Sequence, residues 1–324
     1  MHIVIPDDYQ NVIRTLDCFS RLAAHHVTVL HDRQPASLEE LAIRFADADA
    51  LVLTRERTRI DAALLDRLPK LKLISQTGKL AGHLDLAACT ARGIVVTEGR
   101  GSPVAPAELA WALMLNARRQ LVAALQGFRQ GQWQVNLGSG LAGQVLGIWG
   151  YGKIGQRLAR YAQAFDMPVL VWGSDSSRAA AAADGHRAAA SREALFAEAD
   201  ILSLNLRLAQ STRYIVTLDD LARMKTDALL VNVSRAELIA PGALLQALQA
   251  GRPGYAAVDV YEDEPVLDPA HPLLNHPRVL CSPHLGYVEK NGYELYFGDA
   301  FDNLVAFFAG APKNVANPEA VGQR

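Results

Sequence analysis

A marked excess of either charge is missing from this chain of 324 residues: 32 Lys and Arg against 34 Asp and Glu leave a formal net charge of -2. That balance excludes recognition of nucleic acid by bulk electrostatic attraction. Cysteine is scarce. Cys18, Cys89 and Cys281 stand far apart, with neither the paired spacing of a zinc site nor the density of a disulfide framework. They read as reduced core thiols, and no metal site is expected; His271 and His276, among prolines, read as loop residues. Long apolar runs are absent as well. Ala105 to Leu115 is interrupted by Glu108 and falls short of the roughly 20 residues a membrane span needs. The opening MHIVIPDDYQ lacks the basic start and small-residue cleavage site of a signal peptide. A cytoplasmic protein with no membrane partner is the expectation.

What is present is length and alternation. The chain exceeds the roughly 100 to 200 residues of one ordinary domain, so two domains are expected. Short β-rich runs at His2–Ile5, Val27–Leu30, Ala50–Leu53, Lys72–Ser75 and Val95–Thr97 alternate with helical patterns. This predicts an α/β fold with a parallel sheet. Ala107–Leu125, rich in Ala and Leu and nearly free of turn residues, reads as one long helix crossing between domains. A second α/β series begins at Gln144, with strands near Val169–Trp172, Ile201–Leu204, Leu229–Val233, Ala256–Val260 and Val279–Ser282. The aromatic segment Asn291–Ala309 reads as a final helix returning to the first domain.

The second series opens with an informative turn. The apolar run Gln144–Trp149 leads into Gly150-Tyr151-Gly152-Lys153-Ile154-Gly155 and then a helical stretch to Phe165. Glycines at those spacings permit a tight turn, a close backbone approach to a pyrophosphate, and close packing of helix on strand. The helix N-terminus adds free N–H groups and a positive dipole end. A dinucleotide fits this context; a purely structural glycine turn is the plainer alternative. About 20 residues on, where an acid is expected on the ribose, Asp175 lies in Trp172-Gly173-Ser174-Asp175-Ser176. An acid there favours NAD, the cofactor expected, with NADP the alternative if Ser174, Ser176 and Arg178 form a phosphate pocket; a solvated loop or helix-cap acid is the plainer reading of Asp175 alone.

Three side chains follow three successive strands of this series. Arg235 comes after Leu229–Ser234, Glu264 after Asp259-Val260-Tyr261, and His284 after Cys281-Ser282-Pro283. Open α/β sheets bind ligands at that edge. A guanidinium suits a carboxylate, and a histidine beside a carboxylate favours imidazolium and donates a proton near neutral pH. The set matches the needs of hydride transfer to a 2-keto acid. Each residue alone reads more simply as an ion-pair, solvated or structural group.

Taken in order, Gly150–Gly155, Val231–Arg235, Asp259–Pro265 and Ser282–Gly286 resemble the D-isomer-specific 2-hydroxyacid dehydrogenase family, over most of the chain. Leu71–Gly78 with Asp85-Leu86-Ala87 looks like that family's substrate loop, and Pro106–Ala110 like its crossover helix. The resemblance implies Arg235 as substrate binder, His284 as acid and base, and Glu264 as its partner. It implies Asp259 on the nicotinamide amide, Val233 and the whole run Gly150 to Gly155 on the cofactor, and backbone groups of Gly78 and Lys79 on the substrate carboxylate. It also implies a nucleotide-binding domain at residues 101–285 inserted into a flavodoxin-like substrate domain at 1–100 and 286–324, an active site in the cleft between these lobes, and a homodimer. The loop Gly78–Asp85 departs from the family's usual glycine-rich form, and Gly173 aligns with its usual ribose acid. Glu264 with His284 argues against a formate dehydrogenase-like variant. The extra regulatory domain of some phosphoglycerate dehydrogenases is not expected, since the sequence stops at Arg324. Glyoxylate, hydroxypyruvate, phosphorylated and bulkier 2-keto acids all remain open as substrates. Two rival readings are a nicotinamide-sensing interaction protein of corepressor type and a methyltransferase using the glycine loop, which leaves Arg235, Glu264 and His284 without a task.

Overall fold

The structure, a computed structural model, describes residues 1–31 and 36–323. These form two compact units, Met1–Ser102 with Val288–Arg324, and Pro103–Tyr287.

The first unit holds five parallel strands, β1 (His2–Ile5), β2 (His26–Val29), β3 (Ala50–Leu53), β4 (Leu73–Gln76) and β5 (Val95–Thr97), in the order β2-β1-β3-β4-β5. That is the flavodoxin-like order, with its reversal between β1 and β3. Strands β3, β4 and β5 are buried on both faces, which is why they read as continuous apolar runs rather than alternating ones. Helices α1 (Leu38–Phe45), α2 (Ala62–Leu65) and α3 (Leu86–Ala91) start on side-chain caps from Ser37, Asp61 and Asp85. Each cap satisfies an N–H that the helix itself leaves unpaired. The nineteen-residue helix Lys290–Phe308 packs on this sheet, where the buried Ser75 hydroxyl donates to the Ala300 carbonyl at 2.8 Å. The tail beyond it closes the β5 edge: Val96 N–H donates to Asn317 Oδ1, and Ala316 N–H to the Val96 carbonyl. An exposed edge strand is thereby covered.

The second unit holds α4 (Val104–Arg119), α5 (Leu121–Arg129) and then a seven-stranded parallel sheet. Its strands are β6 (Leu146–Trp149), β7 (Val169–Trp172), β8 (Arg187–Ala188), β9 (Ile201–Leu204), β10 (Leu229–Asn232), β11 (Tyr255–Val258) and β12 (Val279–Cys281). They are ordered β12-β11-β10-β9-β6-β7-β8, with the reversal between β6 and β9. This is a Rossmann-type arrangement, with α6 (Lys153–Ala164), α7 (Asp175–Ala183), α8 (Arg192–Glu198), α9 (Leu218–Ala222) and α10 (Ala243–Ala250) between strands. Both sheets being wholly parallel, the α/β fold class stands as the sequence implies.

One expectation is corrected. Ala107–Leu125 is not a single helix: Gln120 takes a left-handed conformation (φ 49°) and separates α4 from α5. No glycine or proline causes the break. The returning segment does, because Asn136 Nδ2 donates to the Gln120 carbonyl at 2.9 Å and Ser139 N–H to the Arg118 carbonyl at 2.8 Å. A Cβ at Gly138 would lie 2.7 Å from that carbonyl oxygen, so the segment seats directly on the last turn of α4. Strand β8, two residues long, went unread in the sequence.

Candidate active site

The turn from β6 into α6 shows three glycines held for three different reasons. Gly150 has φ 99°, and a Cβ there would come 2.6 Å from the Asn205 carbonyl oxygen. A Cβ on Gly155 would come 2.3 Å from the Gly150 carbonyl oxygen, so helix and strand meet too closely for a side chain. Gly152, the N-cap of α6, has nothing within 4 Å of its hypothetical Cβ. No contact with another described residue requires a glycine there. The requirement left is for backbone to approach a ligand, and the following helix supplies donors for a pyrophosphate. The residues fit a dinucleotide. Lys153 is exposed and Ile154 packs on the core. The Tyr151 side chain is turned inward, donating to Asp184 Oδ2 at 2.9 Å, and burial pushes its phenol above the usual range. Only its backbone remains for the loop.

Strand β7 ends at Trp172, followed by Gly173, and Ser174 caps α7 by accepting from Ser177 N–H. Asp175 therefore lies in the first turn of a helix, its side chain 94% exposed and ion-paired with Arg178, whose guanidinium stacks 4.6 Å from the Trp172 ring centroid. The acid expected at the strand end is not there. Gly173 is, with Ser174, Ser176 and Ser177 hydroxyls bonded to one another beside it.

At the carboxyl ends of β10, β11 and β12 the structure gathers Arg235, Asp259, Glu264 and His284 within the second unit. His284 Nδ1 lies 2.5 Å from Glu264 Oε2, and Glu264 Oε1 accepts from the Tyr261 N–H at 2.9 Å. The carboxylate thus has one oxygen anchored to backbone and one on the imidazole. Its bond to Nδ1 fixes the tautomer and leaves Nε2 as the other working nitrogen. His284 itself has φ 51°, a conformation that costs a residue with a side chain roughly 1 to 2 kcal/mol.

Asp259 explains how that conformation persists. Its carboxylate is fully buried and accepts from Ser282 Oγ (2.6 Å), Leu285 N–H (2.7 Å) and Gly286 N–H (2.8 Å). These donors flank His284 on both sides. Burial raises the Asp259 carboxyl pKa, and the three hydrogen bonds and the nearby His284 pull it back. Tyr287 adds an aromatic ring edge-on to the imidazole, with centroids 5.3 Å apart. Sequence reading gave no role to Ser282 or Tyr287; their nearness to His284 in the chain was the available signal.

Arg235 follows β10, its Nη1 donating to the Ser234 carbonyl at 2.7 Å and its own carbonyl accepting from Asn232 Nδ2. Val233 is buried one step earlier. His271 packs edge-on to Tyr261, and among the described residues no group of three or more His, Cys, Asp or Glu is placed to hold a metal ion.

In the first unit, β4 runs out into Gly78 (φ 79°) and Lys79. Among the described residues, neither backbone N–H has a hydrogen-bond acceptor, whereas the next one, Leu80 N–H, donates to Glu98 Oε2 at 3.2 Å. Glu98 also pairs with the Lys79 ammonium, and Gly99 N–H donates to the Gly78 carbonyl. The segment after β5 therefore holds this loop from below while two adjacent donors stay open.

Residues 111–286 match the family model described as D-isomer specific 2-hydroxyacid dehydrogenase, NAD binding domain. The chain is 36% identical over 311 residues to a glyoxylate reductase of Aeropyrum pernix, covering 93% of this chain and 92% of that one. Among solved structures it is similar to a phosphoglycerate oxidoreductase of Vibrio cholerae O395, with 53% identity, TM-score 0.93, and 96% and 100% of the two chains covered. It is also similar to a Ralstonia solanacearum protein provisionally named D-3-phosphoglycerate dehydrogenase oxidoreductase, with 50% identity, TM-score 0.96, and 98% and 97% covered. None of these relatives is named as a sensing protein or a methyltransferase. With its Rossmann-type sheet, glycine turn and histidine–carboxylate pair, the chain belongs to the D-isomer specific 2-hydroxyacid dehydrogenase family, oxidoreductases that depend on NAD(P).

Proposed function

We propose that the protein reduces small 2-keto acids to D-2-hydroxy acids, and that the Glu264–His284 pair is its acid and base. The observation that carries this is the 2.5 Å contact at His284 Nδ1 on a loop gripped from both sides by Asp259. His284 Nε2 donates a proton to the carbonyl oxygen as it gains charge, and in the reverse direction withdraws it. Glu264 holds the imidazole in register throughout. Arg235 polarises the carbonyl and binds the carboxylate. A bound nicotinamide supplies the hydride. The turn from Gly150 to Gly155 would hold the dinucleotide, and Val233 would contribute to its site. Asp259 has roughly four lone-pair sites and uses three, which leaves one for the carboxamide. Glyoxylate reductase and phosphoglycerate dehydrogenase, the activities named for relatives, share a small carboxylate-bearing substrate of this kind.

For the cofactor we infer a preference for NADPH. A carboxylate at the end of β7 selects NAD by accepting from both ribose hydroxyls and repelling a 2′-phosphate. Here glycine holds that place, Asp175 is turned to solvent, and Arg178 with three serine hydroxyls borders it. We also place the protein in the cytoplasm as a homodimer. Leu121, Val122, Leu125 and Phe128 form one exposed apolar face of α5, with Trp133 and Leu137 exposed after it, and such a patch marks an association surface. The three free thiols suit a reducing compartment.

The test is oxidation of NADPH and of NADH by purified protein over a panel of 2-keto acids, with His284→Ala and Arg235→Ala beside it. Turnover lost in both variants establishes the chemistry. Cofactor binding with no turnover on any acid rejects it.

A further inference from the structure

Two loops carry the Glu264–His284 pair, one after β11 and one after β12, and a single residue is bonded to both. Tyr261 is buried, and its backbone N–H donates to Glu264 Oε1 at 2.9 Å. Its phenol donates to the Ser282 carbonyl at 3.0 Å. That carbonyl oxygen also accepts from the His284 N–H at 3.1 Å, which closes a three-residue turn around Pro283. A carbonyl oxygen has two lone pairs, and both are used here. Tyr261 thus touches the carboxylate directly and, through one shared oxygen, the backbone of the histidine.

The phenol is held in place for this. The His271 ring packs edge-on to it with centroids 5.6 Å apart, and His271 Nδ1 itself accepts from the Leu273 N–H at 3.3 Å. Burial raises the Tyr261 pKa well above that of an ordinary phenol, with the Cys281 thiol and the carboxyl groups of Asp259 and Glu264 acting in the same direction. The group therefore stays a donor at any working pH. Asp259 grips the same loop through the Ser282 hydroxyl and the N–H groups of Leu285 and Gly286, contacts that leave the Ser282 carbonyl to Tyr261 and His284. Asp259 fixes where the loop of His284 lies; Tyr261 ties that loop to the carboxylate it must meet. The 2.5 Å separation of His284 Nδ1 and Glu264 Oε2 tolerates little displacement of either loop.

We propose that Tyr261 is a positioning residue for the acid–base pair: its phenol braces the loop of His284 against the loop of Glu264 and keeps the imidazole in the one orientation in which Nδ1 meets the carboxylate. This rests on the reading of Glu264 and His284 as the acid and base of a 2-keto acid reductase. Tyr261 acts through the pair, not on substrate or nicotinamide, so its loss slows the chemical step and leaves the binding of both ligands as it is.

Tyr261→Phe deletes one oxygen and leaves the Ser282 carbonyl its bond from the His284 N–H, so no buried group is orphaned and the thermal midpoint should stay within a few degrees of wild type. The measurement is the single-turnover rate of NADPH or NADH oxidation by glyoxylate, which product release does not mask, in wild type, Tyr261→Phe, Glu264→Ala and the double variant. Tyr261→Phe is expected to slow it about 2- to 10-fold, the worth of one neutral hydrogen bond, with KM for the nicotinamide unchanged. In the Glu264→Ala background, where no carboxylate remains to be met, the same substitution should slow it less than about twofold. Loss by the same factor in both backgrounds assigns Tyr261 a merely structural role and overturns the proposal, as does no loss in either. A second readout needs no turnover: the nitrogen-15 shifts of the His284 ring, assigned by their disappearance in His284→Ala and recorded at a pH where the ring is neutral. A single Nδ1–H tautomer in wild type that becomes a mixture in Tyr261→Phe is expected, and the same tautomer in both proteins overturns the brace. Wild-type protein inactive on every 2-keto acid tried rejects the reductase reading itself, and the nitrogen shifts then decide the brace on their own.

Discussion

The two units solve one problem in two ways. Each is a parallel sheet whose strand ends present backbone N–H groups to an anion. In the second unit the chain leaves β6 through Gly150 and Gly152 straight into α6, so the donors are those of a twelve-residue helix and act with its dipole. In the first unit the chain leaves β4 through Gly78 into an irregular loop, with α3 starting only at Leu86. There the donors stay open because Glu98 and Gly99 hold the loop from the other side. A helix start carries its own electrostatics and a recognisable spacing. A propped loop borrows both from residues distant in the chain, and for that reason it is chemically as capable and much harder to read.

The largest effect expected belongs to the histidine pair in the second unit. Replacing His284 with Ala removes the proton donor and should lower kcat by roughly 10²- to 10⁴-fold with KM for the nicotinamide little changed. Glu264→Gln should cost less, because the amide still offers an oxygen to Nδ1–H but no charge. Steady-state kinetics across pH distinguish them, and an equal loss in both would mean that orientation matters more than the proton.

The glycine turn allows the helix-start half of the comparison to be dissected. Gly155→Val places a side chain into the Gly150 carbonyl and should destabilise the second unit by about 1 to 3 kcal/mol. At Gly152 an added Cβ has nothing within 4 Å among the described residues, so Gly152→Val is the contrasting substitution. It should leave the thermal midpoint near that of wild type while weakening nicotinamide binding roughly tenfold or more, measured by quenching of protein fluorescence. A Gly152→Val that binds cofactor normally would return Gly152 to a merely permitted glycine. Arg178→Ala should then raise KM for NADPH about tenfold and leave that for NADH unchanged; the reverse pattern would restore Asp175 to a ribose.

How far the sequence reveals all this follows the same divide. Strands such as Ala50–Leu53 and Ile201–Leu204 are legible because a strand buried on both faces must be apolar throughout. Gly150–Gly155 and the order of Arg235, Glu264 and His284 are legible because each depends on a short local pattern after a strand. What depends on distant residues was hidden. The break at Gln120 is made by Asn136 and Ser139, and the left-handed bend at Arg55 by Gln76 at the end of the neighbouring strand and Thr77 just after it. Neither leaves a periodicity or a spacing in the sequence.

The smallest effect concerns His83, whose Nε2 meets Oε1 of the buried Gln76 at 3.1 Å behind the propped loop. Burial pulls its pKa below the ordinary histidine value, the nearby Arg55 acts in the same direction, and Glu56 opposes both. A histidine whose folded-state pKa lies below its unfolded value contributes stability that is complete above about pH 6.5 and is lost as the pH falls through the folded-state value. The thermal midpoint of wild type should therefore decline between pH 7 and pH 5, and His83→Gln should flatten that decline by a few degrees at most. The carboxylates held low by partners, such as Asp299 on Arg100, titrate below this window. His276 in the second unit is shifted the same way by burial, so hydrogen exchange resolved by segment is the deciding measurement. Protection lost on acidification should concentrate around β4 and the residues after it in wild type, and not in His83→Gln. Equal losses in both proteins would show that the loop's support does not depend on a neutral imidazole.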